Sequence, residues 1–389
     1  MTVTKRKVSL FIIIGFALLS TIDSFSQQQI TGVIIDSLSK QPISGAGVLE
    51  ATSKNGTITN ENGEFKITVE KLPATLKFSH VSYQQKQKEV NNTDFLEIQL
   101  PVAIIQLAEV KTGNPAISII NNTIRKALGD TLKRHYFKAF YQKVSTFNGK
   151  YTKLQEMFLN ASWGQFGVDK WQPTNVRYAQ MEIQKVIVPN ISVLSFLHSS
   201  TIFKKPFFPL NVVDITETYI FKLKHYINPG SEHEIAVIHC KPKVKESAYP
   251  QFEGEIFIRT SKDNLCRILG EYNYPKSRNV YRTIALDINY KEDCNGFSLF
   301  DNLYLSEKVG KKFSSEQNIE KVWFFFYEEI EGLSKETIYP AFVENDMKII
   351  KESPYNATFW EKNIPLKHTK HEEEIIKYFE KKQQFTSNF

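Results

Sequence analysis

The sequence predicts a mainly β protein, in which an N-terminal β-sandwich precedes a larger antiparallel β domain with flanking helices. Three observations support this fold class. Aromatic residues make up 13% of the chain, and flat rings pack well on pleated strands. Tight-turn sequences separate short alternating runs about every eight to twelve residues, which is typical of sandwiches. The 389 residues exceed the roughly 250–300 at which a single core stops growing, so two domains are expected.

The N-terminal residues 1–26 have the pattern of a signal peptide. Lys5-Arg6-Lys7 forms a positive region, the apolar run Val8–Ile22 follows, and Ser24-Phe25-Ser26 offers small residues to a signal peptidase. The apolar run is shorter than the roughly 20 residues that span a bilayer. We therefore expect cleavage before Gln27 and an exported protein, either periplasmic or associated peripherally with the outer membrane.

The charge of the chain argues against nucleic acid as a partner. The formal net charge is +7, and residues 1–26 account for +2 of it (three basic residues against Asp23), which leaves +5. These charges are scattered, without the clustered Arg and Lys that contact phosphates.

The three cysteines, Cys240, Cys266 and Cys294, form no close pair. This spacing disfavours a structural zinc site and a dense disulfide scaffold. One bridge with one free thiol and three buried thiols both remain open.

Residues 27–101 carry the pattern of the sandwich. Gln29–Asp36 alternates as a first strand, and Asn62-Gly63 favours a tight hairpin because both residues tolerate positive φ. Phe65, Ile67 and Val69 then alternate with polar residues, which predicts a half-buried strand. Further short strands are expected at Leu76–Phe78 and Phe95–Leu100.

Several spaced motifs in this stretch resemble the carboxypeptidase-like regulatory domain, a transthyretin-like sandwich found in exported proteins of Bacteroidota. The sequence departs from the family pattern twice: Asn60 replaces the more usual Asp, and Ser82 stands where the family tends to carry Gly. The motifs are Gly32-x-x-x-Asp36, Pro42-x-x-Gly45-Ala46-x-Val48 and Thr57-x-Thr59-Asn60-x-x-Gly63-x-Phe65.

The resemblance implies a non-catalytic module. In metallocarboxypeptidases this domain is an appendage, and the zinc centre lies in a separate domain. The same module precedes the plug and barrel of TonB-dependent receptors, and Leu107–Val110 resembles the segment that links those parts. The rest of the chain is too short for a plug and a large barrel together.

Residues 102–115 are predicted to form a linker, and residues 116–389 are predicted to form a β-rich domain of unassigned function. Apolar residues at three- and four-residue steps predict an amphipathic helix over Ala116–Leu132. The sequence Asn114-Pro115-Ala116 with this helix also resembles a group of Bacteroidota regulatory-domain proteins without an assigned function. The residues expected to face inward are Ile117, Ile120, Ile124 and Leu128.

Strands are expected to dominate from His135 onward. Lys321–Glu328 is apolar on both faces and predicts a central strand, whereas Thr369–Gln384 predicts a charged helix with Ile375, Ile376 and Phe379 facing inward. Three hairpins are expected: Phe137–Phe147 with Lys150–Leu159, Gly254–Arg259 with Leu265–Leu269, and Val280–Lys291 with Phe297–Leu305.

Two histidine groupings could hold a metal ion. His371 and Glu374 lie three residues apart on the predicted C-terminal helix, with His368 nearby. His233 lies just before a predicted strand, Glu234–His239, and His239 ends it, so both would point to the same side. A solvated helix surface and partly exposed strand residues explain the same patterns.

We therefore expect no catalytic residue, no cofactor and no bound metal. No hydrolase, phosphate-loop or zinc-protease motif occurs in the chain. The sequence favours a non-enzymatic envelope protein, a binding or scaffold module whose C-terminal domain could hold an apolar ligand. Its partner could be an envelope protein, a glycan or a lipid. One alternative is a metal-dependent hydrolase of the peptidase type. Another is a small outer-membrane barrel, because such barrels often end in an aromatic residue, as Phe389 is.

The segment Phe196–Leu210 combines Phe and Pro with Lys204-Lys205. It could be an exposed loop that touches lipid headgroups or glycan rings, or a stretch that fills the core of the second domain.

Overall fold

The fold is mainly β, as predicted, and consists of a two-sheet sandwich followed by one large antiparallel sheet. The computed structural model describes residues 28–53, 55–107, 114–129, 134–164, 167–181, 215–244, 250–275, 279–293, 295–333, 339–340, 349–350, 353–363 and 365–385. The predicted signal peptide and the segment Phe196–Leu210 lie outside these residues. Within them, no helix combines the length and the apolar character that crossing a membrane requires.

The sandwich has seven strands in two sheets, with the orders β4-β1-β7 and β3-β2-β5-β6. All its strand pairs are antiparallel except β1 with β7. Alternate residues of β1, β4 and β5 are buried, so each strand presents one apolar face to the other sheet. The strands are β1 (Gln28–Asp36), β2 (Gly47–Glu50), β3 (Gly56–Ile58), β4 (Glu64–Val69), β5 (Ala74–Ser79), β6 (Lys86–Val90) and β7 (Leu96–Leu100).

The motif residues of the sandwich shape its turns. Gly63 has φ +72°, and a Cβ there would lie 2.5 Å from the carbonyl oxygen of Ile34, so the position requires glycine. The hydroxyl of Thr59 donates to the carbonyl of Ile43 at 2.6 Å and accepts from the amide of Ala46 at 2.9 Å. These bonds hold the β1–β2 connection against the β3–β4 turn.

The second domain is built on a twelve-stranded sheet with the order β19-β11-β10-β9-β18-β17-β16-β15-β14-β13-β12-β8. Its first strand in the chain, Ile105–Leu107, lies within the predicted linker 102–115 and pairs with β12. The strands are β8 (Ile105–Leu107), β9 (His135–Phe147), β10 (Lys150–Gly164), β11 (Gly167–Gln180), β12 (Tyr219–Ile227), β13 (Ile235–Pro242), β14 (Gln251–Arg259), β15 (Asn264–Asn273), β16 (Val280–Glu292), β17 (Ser298–Lys311), β18 (Gln317–Ile330) and β19 (Tyr339–Pro340).

The three predicted hairpins are confirmed as β9–β10, β14–β15 and β16–β17. The tightest turn has Asn148 at φ +48° and Gly149 at φ +78°, as a two-residue turn with positive φ at both positions requires. Strand β18 lies between β9 and β17, so the prediction of a central strand over Lys321–Glu328 is also confirmed.

The two faces of the large sheet are covered by different parts of the chain. We call the face with the largest apolar cluster the inner face. Helix α1 (Pro115–Gly129) packs on it through Ala116, Ile120 and Ile124, whereas Ile117, also predicted to face inward, is 36% exposed. A short helix, α2 (Ile215–Thr218), leads into β12 and adds Ile215 to the same cluster.

The opposite, outer face carries the sandwich and two C-terminal helices, α3 (Ala357–Lys362) and α4 (Lys370–Lys381). As predicted, Ile375, Ile376 and Phe379 of α4 are buried. Thr369 caps α4, because its hydroxyl accepts from the amide of Glu372 while the Glu372 carboxylate accepts from the amide of Thr369.

Candidate functional site

The sandwich is attached to the outer face by the segment that precedes α4. The hydroxyl of Thr57 donates to the carbonyl of Pro365 at 2.5 Å, and the side-chain amide of Asn60 donates to the carbonyl of Lys367 at 2.9 Å. Glu61 pairs with Lys321 of β18 at 2.5 Å. Ile58 adds an apolar contact, since it belongs to a buried cluster with residues of the large sheet and of α3. The β3–β4 turn is therefore the main anchor of the sandwich.

Both departures from the family pattern lie at this boundary between the domains. Asn60 uses its Nδ2 donor on Lys367, a bond that an aspartate could not make. Arg267 of β15 donates to the hydroxyl of Ser82 at 3.5 Å, and the carbonyl of Ser82 accepts from the amide of Ala103. Asn60 and Ser82 thus both contact residues of the second domain.

A buried ion pair lies beneath the C-terminal segment. Glu156 on β10 pairs with Arg177 on β11, and His368 Nε2 lies 2.6 Å from a Glu156 oxygen. Burial acts to raise the pKa of Glu156, but the charges of Arg177 and His368 outweigh it and hold that pKa at about 2. Trp360 of α3 stacks on the Arg177 guanidinium at 4.5 Å. The C-terminal segment therefore closes over a paired charge as well as apolar residues.

A cleft of about 440 Å³ lies between the sandwich and the outer face. The sandwich contributes residues from the start of β2 and from the β5–β6 connection, and the sheet contributes residues of β13 to β17. Its polar lining residues include Ser79, His80, Tyr83, Gln84, Asn228, Arg259, Asn289, Lys291, Asp301 and Asn302.

His80 is a neutral imidazole in this cleft. Burial, with a smaller contribution from the Arg267 charge, lowers the pKa of His80 to about 3. Nδ1 accepts from the amide of Ser82 at 3.2 Å, which assigns the ring proton to Nε2. The ring meets Tyr83 edge to face at 5.2 Å between centroids. His80 therefore presents a donor and an aromatic edge without a charge.

The inner face of the sheet is apolar along most of its length and ends in a row of buried ion pairs. Lys143 on β9 and Glu320 on β18 each lie two residues beyond the apolar stretch of their strand, so both side chains belong to the inner face. They pair at 2.6 Å, and their side chains are 4% and 5% exposed. Arg282 pairs in the same way with Glu307, which lies directly opposite Glu320.

Helix α1 is fixed on the inner face at both of its ends. Asn114 donates to the carbonyl of Phe221 at 2.9 Å and accepts from the amide of Ala116, which caps the start of the helix. Lys126 donates at 2.6 Å to each of three oxygens, in Lys262, Asn264 and Gly296. Between these polar contacts, α1 touches the sheet through apolar side chains.

The histidines predicted as metal ligands are separated by the fold. His371 is 76% exposed and faces Glu374 at 3.4 Å on the surface of α4, while the nearby His368 points into the buried ion pair. His233 lies outside β13 and pairs with Glu232, whereas His239 faces Glu253 at 3.9 Å. Among the residues described, no group of three or more metal-binding side chains comes together.

The two described cysteines lie on opposite faces of the sheet. Cys240 belongs to the inner cluster and Cys266 packs with the outer one, so they cannot form a bridge with each other. Both are free thiols, and burial raises the pKa of each. Cys294 lies outside the described residues.

Sequence reasoning missed the interdomain cleft and the row of ion pairs. The cleft joins Ser79–Gln85 to strands that lie far away in the chain, so no local pattern marks it. Lys143 and Glu320 interrupt otherwise apolar strand faces, and this interruption was the available signal.

Three comparisons place the chain among known proteins. A family model, the CarboxypepD_reg-like domain, matches residues 30–111. The comparison with curated protein sequences returns no match.

The solved structures give only distant similarity. One is a LolA superfamily protein from Nitrosomonas europaea, at 11% identity and a TM-score of 0.25, covering 56% of this chain and 95% of that one. Another is a protein of unknown function from Bacteroides fragilis described as membrane-associated, at 12% identity and a TM-score of 0.16, covering 78% and 99%. These TM-scores carry no argument about this chain. The family match agrees with the motifs and the seven-stranded sandwich: residues 30–111 form a CarboxypepD_reg-like domain.

Proposed function

We propose that this protein is a non-enzymatic, exported binding protein of the cell envelope, and that the inner face of its large sheet holds an apolar ligand such as a long acyl chain. One observation carries the proposal: the inner face holds one continuous buried apolar cluster that ends in a row of buried ion pairs. An amphiphilic molecule has the same division between an apolar body and a polar end.

The dimensions of the inner face suit such a ligand. Helix α1 has 15 residues and spans about 22 Å at about 1.5 Å per residue. The longest strand, β10, also has 15 residues but runs about 50 Å at about 3.3 Å per residue. Helix α1 is therefore less than half as long as this strand, and it is held at its ends by polar contacts. An acyl chain would lie along the inner face beside α1.

The ionisable groups of the described residues favour binding over bond-making chemistry. Lys143 and Lys153 both pair with Glu320, and Arg282 pairs with Glu307, so each carboxylate of the row has a basic partner. Burial raises the pKa of Cys240 and Cys266, so that neither thiol is activated as a nucleophile. Export is supported by the basic and apolar pattern of residues 1–26.

The four tryptophans offer a direct test, because two belong to the inner cluster and two to the outer face. Trp163 and Trp171 are inner, whereas Trp323 and Trp360 are outer. Dibromostearic acid quenches tryptophan fluorescence only at short range. The double variant Trp323→Phe/Trp360→Phe keeps only the inner pair of tryptophans. The matched double variant Trp163→Phe/Trp171→Phe keeps only the outer pair.

Strong, saturable quenching is expected in the variant that keeps the inner pair, and little in its match. Unbrominated stearic acid should compete without quenching. Circular dichroism of both variants shows whether they retain the β-sheet fold. Equal quenching in the two variants, or none in either, would rule out an acyl ligand on the inner face.

A further inference from the structure

We propose that the cleft between the sandwich and the outer face is a second binding site, which takes a neutral, hydroxyl-rich ligand of the size of a short saccharide. The cleft lies on the other side of the sheet from the inner face, so this inference stands whether or not an acyl chain binds. Its volume, about 440 Å³, lies within the roughly 300–1,000 Å³ of typical small-molecule sites.

The charges around the cleft balance, which selects against an ionic ligand. Lys291 pairs with Asp301 at 3.1 Å, and Arg259 pairs with Glu292 at 3.1 Å. His80 is neutral, as its lowered pKa and its bond to Ser82 show. His233, which also lines the cleft, lies 3.4 Å from the carboxylate of Glu232. A phosphate or a carboxylate would therefore meet cationic side chains that already have an acidic partner. A neutral ligand would disturb neither ion pair.

The lining instead offers groups that donate and accept at once. Asn289 and Asn302 lie directly opposite each other on β16 and β17, with Asn289 Nδ2 donating to Asn302 Oδ1 at 3.0 Å. A side-chain amide carries two donors and one acceptor oxygen, and each hydroxyl of a sugar also both donates and accepts. Gln84 and Asn228 add two further amides to the lining.

Two more features of the lining fit a sugar ring. Arg259 lines the cleft, and its buried Nε makes no hydrogen bond within the described structure, so the protein itself leaves this donor unused. His80 and Tyr83 present an edge-to-face aromatic pair against which the C–H groups of a sugar can pack.

Gly45 keeps the two walls close together. It has φ +71°, and a Cβ there would lie 3.8 Å from both Asn289 and Asn302. The backbone of the sandwich therefore approaches the amide pair without a side chain in between. A ligand in the cleft would contact both domains at once.

A second cleft, of about 470 Å³, has a more highly charged lining, and comparing the two clefts helps to assign a class of ligand. It lies beside β3 and β4, and its lining carries Lys66, Lys138 and Lys362 together with Glu50, Glu70 and Glu328. Lys138 and Glu328 lie on neighbouring strands of the large sheet and pair at 2.7 Å on that wall of the cleft. The dense charge of this lining suits solvent and ions, whereas the amide-rich cleft suits hydroxyl groups.

Ser79 provides the test, because it is exposed, lines the cleft and packs in no core. Ser79→Trp should fill the site without disturbing the fold. Thr93→Trp is the matched control, since Thr93 is an exposed residue of the same domain outside the cleft. The probes are maltotriose, cellotriose and triacetylchitotriose, with trigalacturonate as an anionic trisaccharide. Saturation-transfer NMR followed by calorimetry measures their binding to the full chain.

At least one neutral trisaccharide should bind the parent protein, more tightly than trigalacturonate by about tenfold or more, which is about 1.4 kcal/mol. Ser79→Trp should weaken that binding by about tenfold or more, and Thr93→Trp by less than about twofold. Near-ultraviolet circular dichroism confirms that both variants are folded. The proposal fails if no neutral probe transfers saturation at about 10 mM, if trigalacturonate binds best, or if Ser79→Trp binds like the control.

Discussion

Asn60 is a single residue that both shapes a turn of the sandwich and joins the sandwich to the second domain. The side-chain oxygen accepts from the amides of Asn62 and Glu64 and so forms the β3–β4 turn, a task that aspartate performs equally well. Only the amide nitrogen reaches Lys367 of the second domain, at 2.9 Å. The family's usual Asp would keep the turn and lose the bond between the domains.

Asn60→Asp should therefore destabilise the protein by about 1–3 kcal/mol, because the carbonyl of Lys367 loses its donor and faces a carboxylate, and Glu64 loses the bond from Asn60 Nδ2 at 3.0 Å. Urea unfolding measures the change. Asn62→Asp is the matched control: Asn62 is exposed, so the same chemical change should stay within about 0.5 kcal/mol. Equal effects of the two substitutions would show that the bond to Lys367 contributes nothing.

A second prediction at this scale concerns Glu156 and the dependence of the protein's stability on pH. Its pKa is about 2 in the folded protein against an ordinary 4.5, so the pairing with Arg177 and His368 stabilises the fold above pH 4.5. The stabilisation is lost as the pH falls from 4.5 towards 2. Glu156→Gln leaves the buried Arg177 unpaired and should cost about 3–5 kcal/mol at pH 7.

The gap between the parent protein and Glu156→Gln should narrow below pH 4.5, because the Glu156 carboxyl of the unfolded chain takes up a proton there while that of the folded protein stays ionised down to about pH 2. Urea unfolding at a series of pH values follows this gap. Glu374→Gln changes a carboxylate that is 61% exposed and serves as the control, with an effect within about 0.5 kcal/mol. A gap that stays constant down to pH 3 would contradict the lowered pKa of Glu156.

The β9–β10 hairpin illustrates what an element requires of its sequence. Gly149 lies at φ +78° in the turn, and a Cβ there would meet nothing within 4 Å, so any cost of a side chain comes from the backbone alone. Gly149→Ala should lower the unfolding free energy by about 1 kcal/mol, as thermal unfolding measures.

Gly164 at the end of β10 provides the comparison. It has equally open space but no positive φ, so Gly164→Ala should be neutral or slightly stabilising. If both alanine variants lose the same stability, the left-handed backbone of Gly149 is not the cause.

At the scale of the whole molecule, the C-terminal segment joins the two domains. Helix α4 is anchored by Phe379, which is fully buried against the outer face, and the segment just before α4 holds Thr57 and Asn60 of the sandwich. Weaker packing of α4 should therefore increase the local opening of the β3–β4 turn, although Phe379 touches no residue of the apolar cluster of the sandwich.

Phe379→Ala should cost about 3–5 kcal/mol and should speed hydrogen exchange at the backbone amides of residues 57–64. Tyr378→Ala is the matched control, because Tyr378 is the adjacent residue of the same helix and is 41% exposed. Exchange measured by mass spectrometry reports the turn directly. Unchanged exchange at residues 57–64 in a clearly destabilised Phe379→Ala would show that the segment does not couple the domains.

Much of the architecture was readable from local patterns, because those patterns have local causes. Asn148-Gly149 tolerates positive φ, Thr369 can cap the helix that follows it, and the apolar run in β18 suits a strand buried on both sides. Each of these features depends on residues within a few positions of each other. The motifs of the sandwich are of the same kind, since Gly63 and Thr59 act within one pair of turns.

Only the tertiary structure determined which residues line the cleft and the inner face. The strand at Ile105–Leu107 formed in the predicted linker because β12, far along the chain, supplied its hydrogen-bonding partner. Asn289 and His80 came to share a cleft because the sandwich docks on the outer face. The sequence by itself determined strands, turns and caps, whose energies are local. The docking of the domains forms the cleft, and the pairing of distant strands forms the inner face; both arose from contacts between residues that only the folded chain brings together.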